Sequence, residues 1–321
     1  MIVRILHFLF FFSLLVLTLP ATAADSARDM LAAGRVDEAI TVLNGRLSSS
    51  PRDAESFNLL CRAYFALEDW TRAEPQCHKA ISLEPNNSRF HLWMGRVYGE
   101  KAARANFLSA TGLAGKTRDE FQRAVELNPK DVDAGVDMAE FYVEAPGIIG
   151  GGQDKARAQA RTIGAVNPGR EHWVYARIAE KNKDAAAAER EYRLMIDLNH
   201  GDAESWLSMA LFLRRQKRYD EMERAIAKTS QAPLPRLDAL VDAAQMLLRT
   251  GRNYPFAIQL LRQYLASGPI EEAPAFKAHY LLGTLLEKQG DKTGAAQEYR
   301  ASLALARNFG LAQEALNRVA R

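Results

Sequence analysis

Residues 53–85 read DAESFNLLCRAYFALEDWTRAEPQCHKAISLEP, two apolar-periodic stretches joined by a short polar turn and closed by a proline. In the first stretch Phe57, Leu60, Cys61 and Tyr64 stand three, one and three positions apart, which places them on one face of an α-helix. Ala73, Cys77 and Ala80 do the same on a second helix, and Pro85 stops it. Small side chains at Cys61, Ala73 and Ala80 let the two helices approach closely, while Phe57, Leu60 and Tyr64 fill the space against whatever follows. A hairpin of this size cannot bury its own apolar face, so it needs neighbours of the same kind.

Those neighbours are written into the chain. Ala39 recurs as Ala73, Pro51 as Pro85, and Leu60, Cys61 and Tyr64 as Met94, Gly95 and Tyr98, each step being 34 residues. Helical periodicity continues to the C-terminus and strand alternation appears nowhere, so the expected class is all-α. The composition, 48% hydrophobic and 25% charged with 12 prolines in 321 residues, is that of a chain able to bury a continuous core. Its net charge of +3 comes from 42 basic and 39 acidic residues that alternate along the helices, as over 118–123 and 189–193. A nucleic-acid binder needs clustered positive charge, so no nucleic-acid partner is expected.

Departures from the interval can be counted. The step from Tyr98 to Tyr142 and that from Pro85 to Pro129 are both 44, which puts ten added residues within 99–117. Helix-forming residues over 100–110 predict that the first helix of the third unit runs on until Gly112 and Gly115 end it. In the fourth unit Ala156 comes five residues late, and the surplus is the turn-rich APGIIGGG at 145–152. Looser connections around Pro233 and Pro235 and across 268–274 predict a bend on either side of the seventh unit. The first unit has a short first helix expected to fray. A last amphipathic helix over 311–320 covers an open apolar end.

On these residues the units resemble tetratricopeptide repeats. The family pattern is W-x2-L-G-x2-Y on the first helix, then A-x3-F and a closing Pro. It is matched by His91-x2-Met94-Gly95-x2-Tyr98, by Trp206-x2-Met209-Ala210-x2-Leu213, and by His279-x2-Leu282-Gly283-x2-Leu286 with Gly290, Ala295 and Tyr299 following. The resemblance spans 24–321 as one domain, with repeats over 24–53, 54–87, 88–131, 132–168, 169–202, 203–236, 238–271 and 276–309. It implies a right-handed α-solenoid of stacked helix-turn-helix repeats, open along a concave groove that the first helices line. Carried over position by position, the groove residues would be Asn58, Arg62, Phe65, Leu92, Arg96, Val136 and Glu140, then Trp173, Arg177, Leu207, Leu211, Arg214, Met246, Arg249 and Tyr280. Arginine and aromatic side chains are common interface anchors, and arginine grips carboxylates bidentately. The partner so implied is a protein or peptide segment, extended or helical, with some acidic character. The Lys and Asn arrangement with which family clamps hold a C-terminal carboxylate is not evident.

The first residues read as an export signal. Arg4 precedes a largely apolar run over 5–19, Pro20 breaks it, and Ala21-Thr22-Ala23 supplies small residues for cleavage. The run is shorter than the roughly 20 residues that span a bilayer. The expectation is cleavage after Ala23, no stable membrane insertion afterwards, and a secreted soluble protein, periplasmic in a Gram-negative source.

Catalytic readings do not gather support. ATGLAGKT at 110–117 orders Gly115, Lys116 and Thr117 like a phosphate-binding loop, but a helix and not a strand precedes it, so an interhelical turn is expected. Residues 147–152 could form an anion nest, with a flexible partner-contacting turn as the plainer reading. His78, His91, His172, His200 and His279 show no i, i+4 pair, and His91, His172 and His279 fall in the bulky packing slot. No catalytic residue, metal site or cofactor is expected. Cys61 and Cys77 lie on facing helices of one hairpin, and the sequence leaves open whether they form a disulfide or fill tight packing slots. The leading function is a non-catalytic adaptor or scaffold of the cell envelope, with a self-associating structural solenoid as the alternative and an enzyme whose site is built on the central insertions third.

Overall fold

The computed structural model describes residues 23–233 and 237–320. The apolar leader and Pro235 lie outside the described residues. Among those residues there are seventeen α-helices, one 3-10 turn and no strand. They form successive hairpins: α1 (Ala23–Ala32) with α2 (Val36–Ser49), α3 (Ala54–Ala66) with α4 (Trp70–Leu83), α5 (Ser88–Arg104) with α6 (Phe107–Leu127), and α7 (Val132–Glu144) with α8 (Gln153–Gly164). Four more follow: α9 (Pro168–Lys181) with α10 (Ala185–Leu198), α11 (Ala203–Arg215) with α12 (Tyr219–Gln231), α13 (Asp238–Thr250) with α14 (Tyr254–Ser267), and α15 (Ala275–Lys288) with α16 (Lys292–Leu305). α17 (Gly310–Val319) closes the series. Each hairpin packs on the next, and first helices touch across most junctions, as α7 touches α9 and α11 touches α13.

Local chemistry sets the helix starts. Asp53, Asp69, Asp131, Asp184, Asp202 and Asp291 each cap the helix that follows by accepting the backbone N–H of the residue three positions on. Each such cap contributes about 1 kcal/mol. Within a hairpin the helices close on a small residue set against a larger one sixteen positions later. A Cβ added at Gly283 would sit 2.6 Å from the ring of Tyr299, and at Gly95, where the insertion lengthens the interval, 2.4 Å from Phe121. Only glycine allows these rings to seat, so the packing slots of the repeat are steric requirements.

The third hairpin departs from expectation. α5 ends at Arg104, α6 starts at Phe107, and Gly112 and Gly115 lie inside α6 without ending it. The ten added residues therefore lengthen both helices. Asn106 fixes the reversal by capping the N–H of Ser109 at 3.1 Å. A mid-helix glycine costs up to about 1 kcal/mol relative to alanine, and Leu113 and the buried Thr117 supply packing on the turns between and beyond the two glycines. The ATGLAGKT stretch is thus helix interior and not the interhelical turn expected of it.

The ends of the array meet. Leu31, Val36 and Leu43 from the first hairpin and Leu60 from α3 share one apolar cluster with Phe276 of α15 and with Ala306 and Phe309 at the α16–α17 corner. Gly34, at φ +74°, lies so close that a Cβ there would fall 2.6 Å from the backbone nitrogen of Ala275. The Arg307 amide donates to Asp37 at 2.9 Å, and Lys277 Nζ lies 3.3 Å from Glu68. The sequence led us to expect an open array with a fraying first unit. Instead Ala27 and Leu31 of the short α1 are fully buried, because the two terminal hairpins cover apolar surface that each would otherwise expose. Ala312, Ala315 and Val319 of α17 are buried at the same end.

Candidate functional site

The expected groove separates into three groups once its side chains are placed. Asn58, Leu92, Leu207 and Met246 do not line it, being buried within the array. Leu92 packs with Phe121, Ala134 and Met138, and Leu207 and Met246 belong to the large core of the later hairpins. One residue is about 100° around a helix, enough to turn these positions under a neighbouring hairpin.

The second group is the arginines already engaged. Arg62 donates through Nε to Glu271 at 2.6 Å and through Nη2 to its other oxygen. Arg96 donates to Asp137 at 2.7 Å. Arg177 reaches Glu140 at 2.8 Å, Glu144 at 2.9 Å and Glu180 at 3.2 Å. These side chains were expected to face a partner's carboxylates, but the chain supplies its own, mostly from adjoining first helices. Charge reversal at Arg96 or Arg177 therefore breaks an internal pair. Glu180 is the centre of this network, accepting from Arg215 at 2.5 Å and from the Tyr192 hydroxyl at 2.6 Å. Burial alone would raise the Glu180 carboxyl, yet the hydrogen bonds from Arg215 and Tyr192 and the nearby guanidinium charges hold it below the usual carboxylate range.

The third group keeps some exposure: Phe65, Val136, Glu140, Trp173, Leu211, Arg214, Arg249 and Tyr280. Phe65 is wedged edge-on between Trp70 at 4.9 Å and Trp93 at 5.3 Å. Tyr280 meets Phe309 at 5.5 Å where the ends join, Val136 packs at the margin of the fourth hairpin's core, and Glu140 is held by Arg177. On the first helices of hairpins five to seven this leaves Trp173, Leu211, Arg214 and Arg249. Neither Arg214 nor Arg249 has a carboxylate partner among the described residues, in contrast to Arg62, Arg96 and Arg177.

Three histidines in the bulky packing slot share an arrangement the sequence did not reveal. His91, His172 and His279 each place Nδ1 2.6 Å from a glutamate on the second helix of the same hairpin, Glu120, Glu191 and Glu298 respectively. The signal was present, since His172 and Glu191 repeat the nineteen-residue spacing of His279 and Glu298. Burial works against the His91 cation, but Glu120 and the Pro85 carbonyl, 2.9 Å from Nε2, outweigh it and raise the His91 pKa above the ordinary histidine value. Among the described residues no three His, Cys, Asp or Glu side chains gather as a metal site would require.

The 145–152 segment is an ordered turn. The amides of Gly150, Gly151 and Gly152 donate to the carbonyls of Gly147, Pro146 and Tyr142, so these three do not converge on an anion. Arg118 and Lys155 bind the carbonyls of Ile149 and Gly150 at 3.2 and 3.0 Å. Ile148 protrudes at the tip, 94% exposed. Cys61 and Cys77 form a disulfide with Cα atoms 5.2 Å apart. They stand in the sixteen-residue slot that Gly283 and Tyr299 fill in the last hairpin, and so face each other directly across the helix crossing.

Residues 241–309, most of the last two hairpins, match the tetratricopeptide repeat family model. The yeast Tom70 structure is 15% identical, with a TM-score of 0.53 over 94% of this chain and 64% of that one, so the chain spans less than two thirds of Tom70. TTC0263, a thermophilic TPR protein in Thermus thermophilus, is 18% identical, with a TM-score of 0.49 over 60% of this chain and 97% of that one. No curated protein is similar enough to count as a relative. At these identities the structural likeness is one of fold. The matched segment, the 34-residue hairpin period and the fold shared with Tom70 make this chain a tetratricopeptide-repeat protein.

Proposed function

We propose that the protein is a non-catalytic adaptor or scaffold of the cell envelope that binds a partner polypeptide on its first-helix face, chiefly along hairpins five to seven. The repeat fold serves protein–protein interaction in general, and repeat arrays present long surfaces suited to it. The observation behind the placement is that Arg214 and Arg249, which have no carboxylate partner among the described residues, lie on the same run of first helices (α9, α11 and α13) as the half-buried Trp173 and Leu211. Arginine flanked by apolar and aromatic surface is the composition of an interface anchor. The envelope assignment draws on the apolar leader with its small-residue cleavage site and on the Cys61–Cys77 disulfide, a bond that persists in oxidising compartments. Self-association by end-to-end stacking is disfavoured by the contact between the first and last hairpins, which leaves little apolar end surface to stack. A site on the central insertions is disfavoured because the glycine amides of 150–152 are already used.

The test is capture of partners from envelope extracts by the purified mature chain and by Arg214→Glu/Arg249→Glu. Loss of the captured proteins from the double variant, with unchanged thermal unfolding, is the expected result. Equal capture by both chains would remove these two arginines from the interface.

A further inference from the structure

Most hairpins are joined by three or four residues, but α14 and α15 are separated by seven, GPIEEAP at 268–274. This longer strap is built, not slack. Tyr264 is fully buried, and its hydroxyl accepts the Ile270 N–H at 2.8 Å and donates to the Ala273 carbonyl. Pro269 and Pro274 restrict the backbone near either end. Fixed on this post, the strap carries Glu271 to α3, 209 positions away in sequence, where Arg62 takes its carboxylate in a two-pronged grip. Both side chains are nearly covered, 10% and 12% exposed.

The surroundings of Arg62 are those of a recognition site. Its guanidinium lies 5.0 Å from the centre of the Trp93 ring, and that of Arg96 lies 4.9 Å from the same ring. Phe65 abuts the indole edge-on. A carboxylate set in an arginine fork over an aromatic shelf is how an acidic peptide would be held. Here the ligand is part of the same chain. Burial pushes the Glu271 carboxyl up in spite of Arg62, so the pair is formed at a desolvation cost that offsets much of its Coulomb gain. A contact of that kind can be exchanged for an equivalent one from another molecule without a large loss.

We propose that the site formed by Arg62, Trp93 and Arg96 on hairpins two and three accepts an acidic segment of a partner protein, and that residues 268–274 occupy it as a built-in competitor until the partner displaces them. This rests on the interaction-scaffold reading and adds to it the chemistry of one contact, a glutamate preceded by an aliphatic residue, as in Ile270-Glu271. Displacement would also loosen the contact between the second and last hairpins, where Lys277 and Glu68 meet at 3.3 Å.

The test uses the full mature chain and a fluorescent peptide with the sequence of residues 265–276. Wild type, Glu271→Gln and Glu271→Gln/Arg62→Ala are titrated with it, and the peptide carrying the same Glu to Gln change serves as control. The Glu271→Gln chain should bind at least about tenfold more tightly than wild type, the equivalent of about 1.4 kcal/mol. That gain should vanish in the double variant and with the control peptide. Tyr264→Phe, which loosens the post and leaves the ion pair in place, should raise binding in the same direction and guards against a folding artefact at Glu271. Equal affinity for wild type and Glu271→Gln would overturn the competitor role. No binding to any chain, with capture through Arg214 and Arg249 intact, would overturn the site at Arg62 alone, whereas loss of both activities would overturn the scaffold reading itself.

Discussion

Cys61 and Cys77 show how one slot of the repeat can be filled by different chemistry. In the last hairpin the same slot sets Gly283 against Tyr299, and in the second it carries a covalent bond across the helix crossing. The bond closes a sixteen-residue separation, for which the loss of unfolded-state freedom amounts to about 3 kcal/mol. Cys61→Ala/Cys77→Ala should therefore unfold at lower denaturant by about that amount in an equilibrium titration, while helical content in native buffer stays close to that of the parent. An unchanged midpoint would mean that the bond adds nothing to the close packing of Ala73 and Ala80. The slot was readable from Cys61 and Cys77 alone, but the direct facing was not. It becomes visible only when the same sixteen-residue interval is noticed between Gly283 and Tyr299. The groove residues were harder to read. That Arg177 meets Glu140 and Glu180, or that Leu92 turns under the fourth hairpin, depends on rotations of a fraction of a helical turn that a repeat pattern does not encode.

At the scale of elements, periodicity gave the hairpins, whereas glycine misled at the insertion. Gly112 and Gly115 look like helix ends, yet the packing of Leu113 and Thr117 keeps α6 continuous through them. Electrostatics acts at this level through the histidine–glutamate pairs that tie first helix to second. The folded-state pKa of His91 is raised, so the stability drawn from its pairing with Glu120 is fully present below the unfolded value of 6.5 and is lost as pH climbs through the higher folded value. Hydrogen exchange in α5 and α6 should accordingly quicken, beyond the intrinsic base-catalysed rise, as pH climbs past the ordinary histidine value of 6.5. Replacing His91 with Gln should remove that excess pH dependence. Persistence of the excess in the variant would assign it to another group.

For the whole molecule, the decisive feature is that the first and last hairpins share a cluster, so the array is closed and not open. Nothing in a 34-residue period announces closure, because it depends on the accumulated turn over all eight hairpins. Leu31 and Phe276, or Asp37 and Arg307, carry no mutual signal in a single sequence. Closure explains the burial of the short α1 and the internal occupation of the Arg62 site by Glu271. The direct measurement is cross-linking of Asp37→Cys/Arg307→Cys by a short bis-maleimide in dilute native solution, with Cys61 and Cys77 left oxidised. The closed array predicts rapid, concentration-independent intramolecular cross-linking of residues 270 positions apart. An open solenoid would leave both cysteines singly modified, and that result would contradict the account.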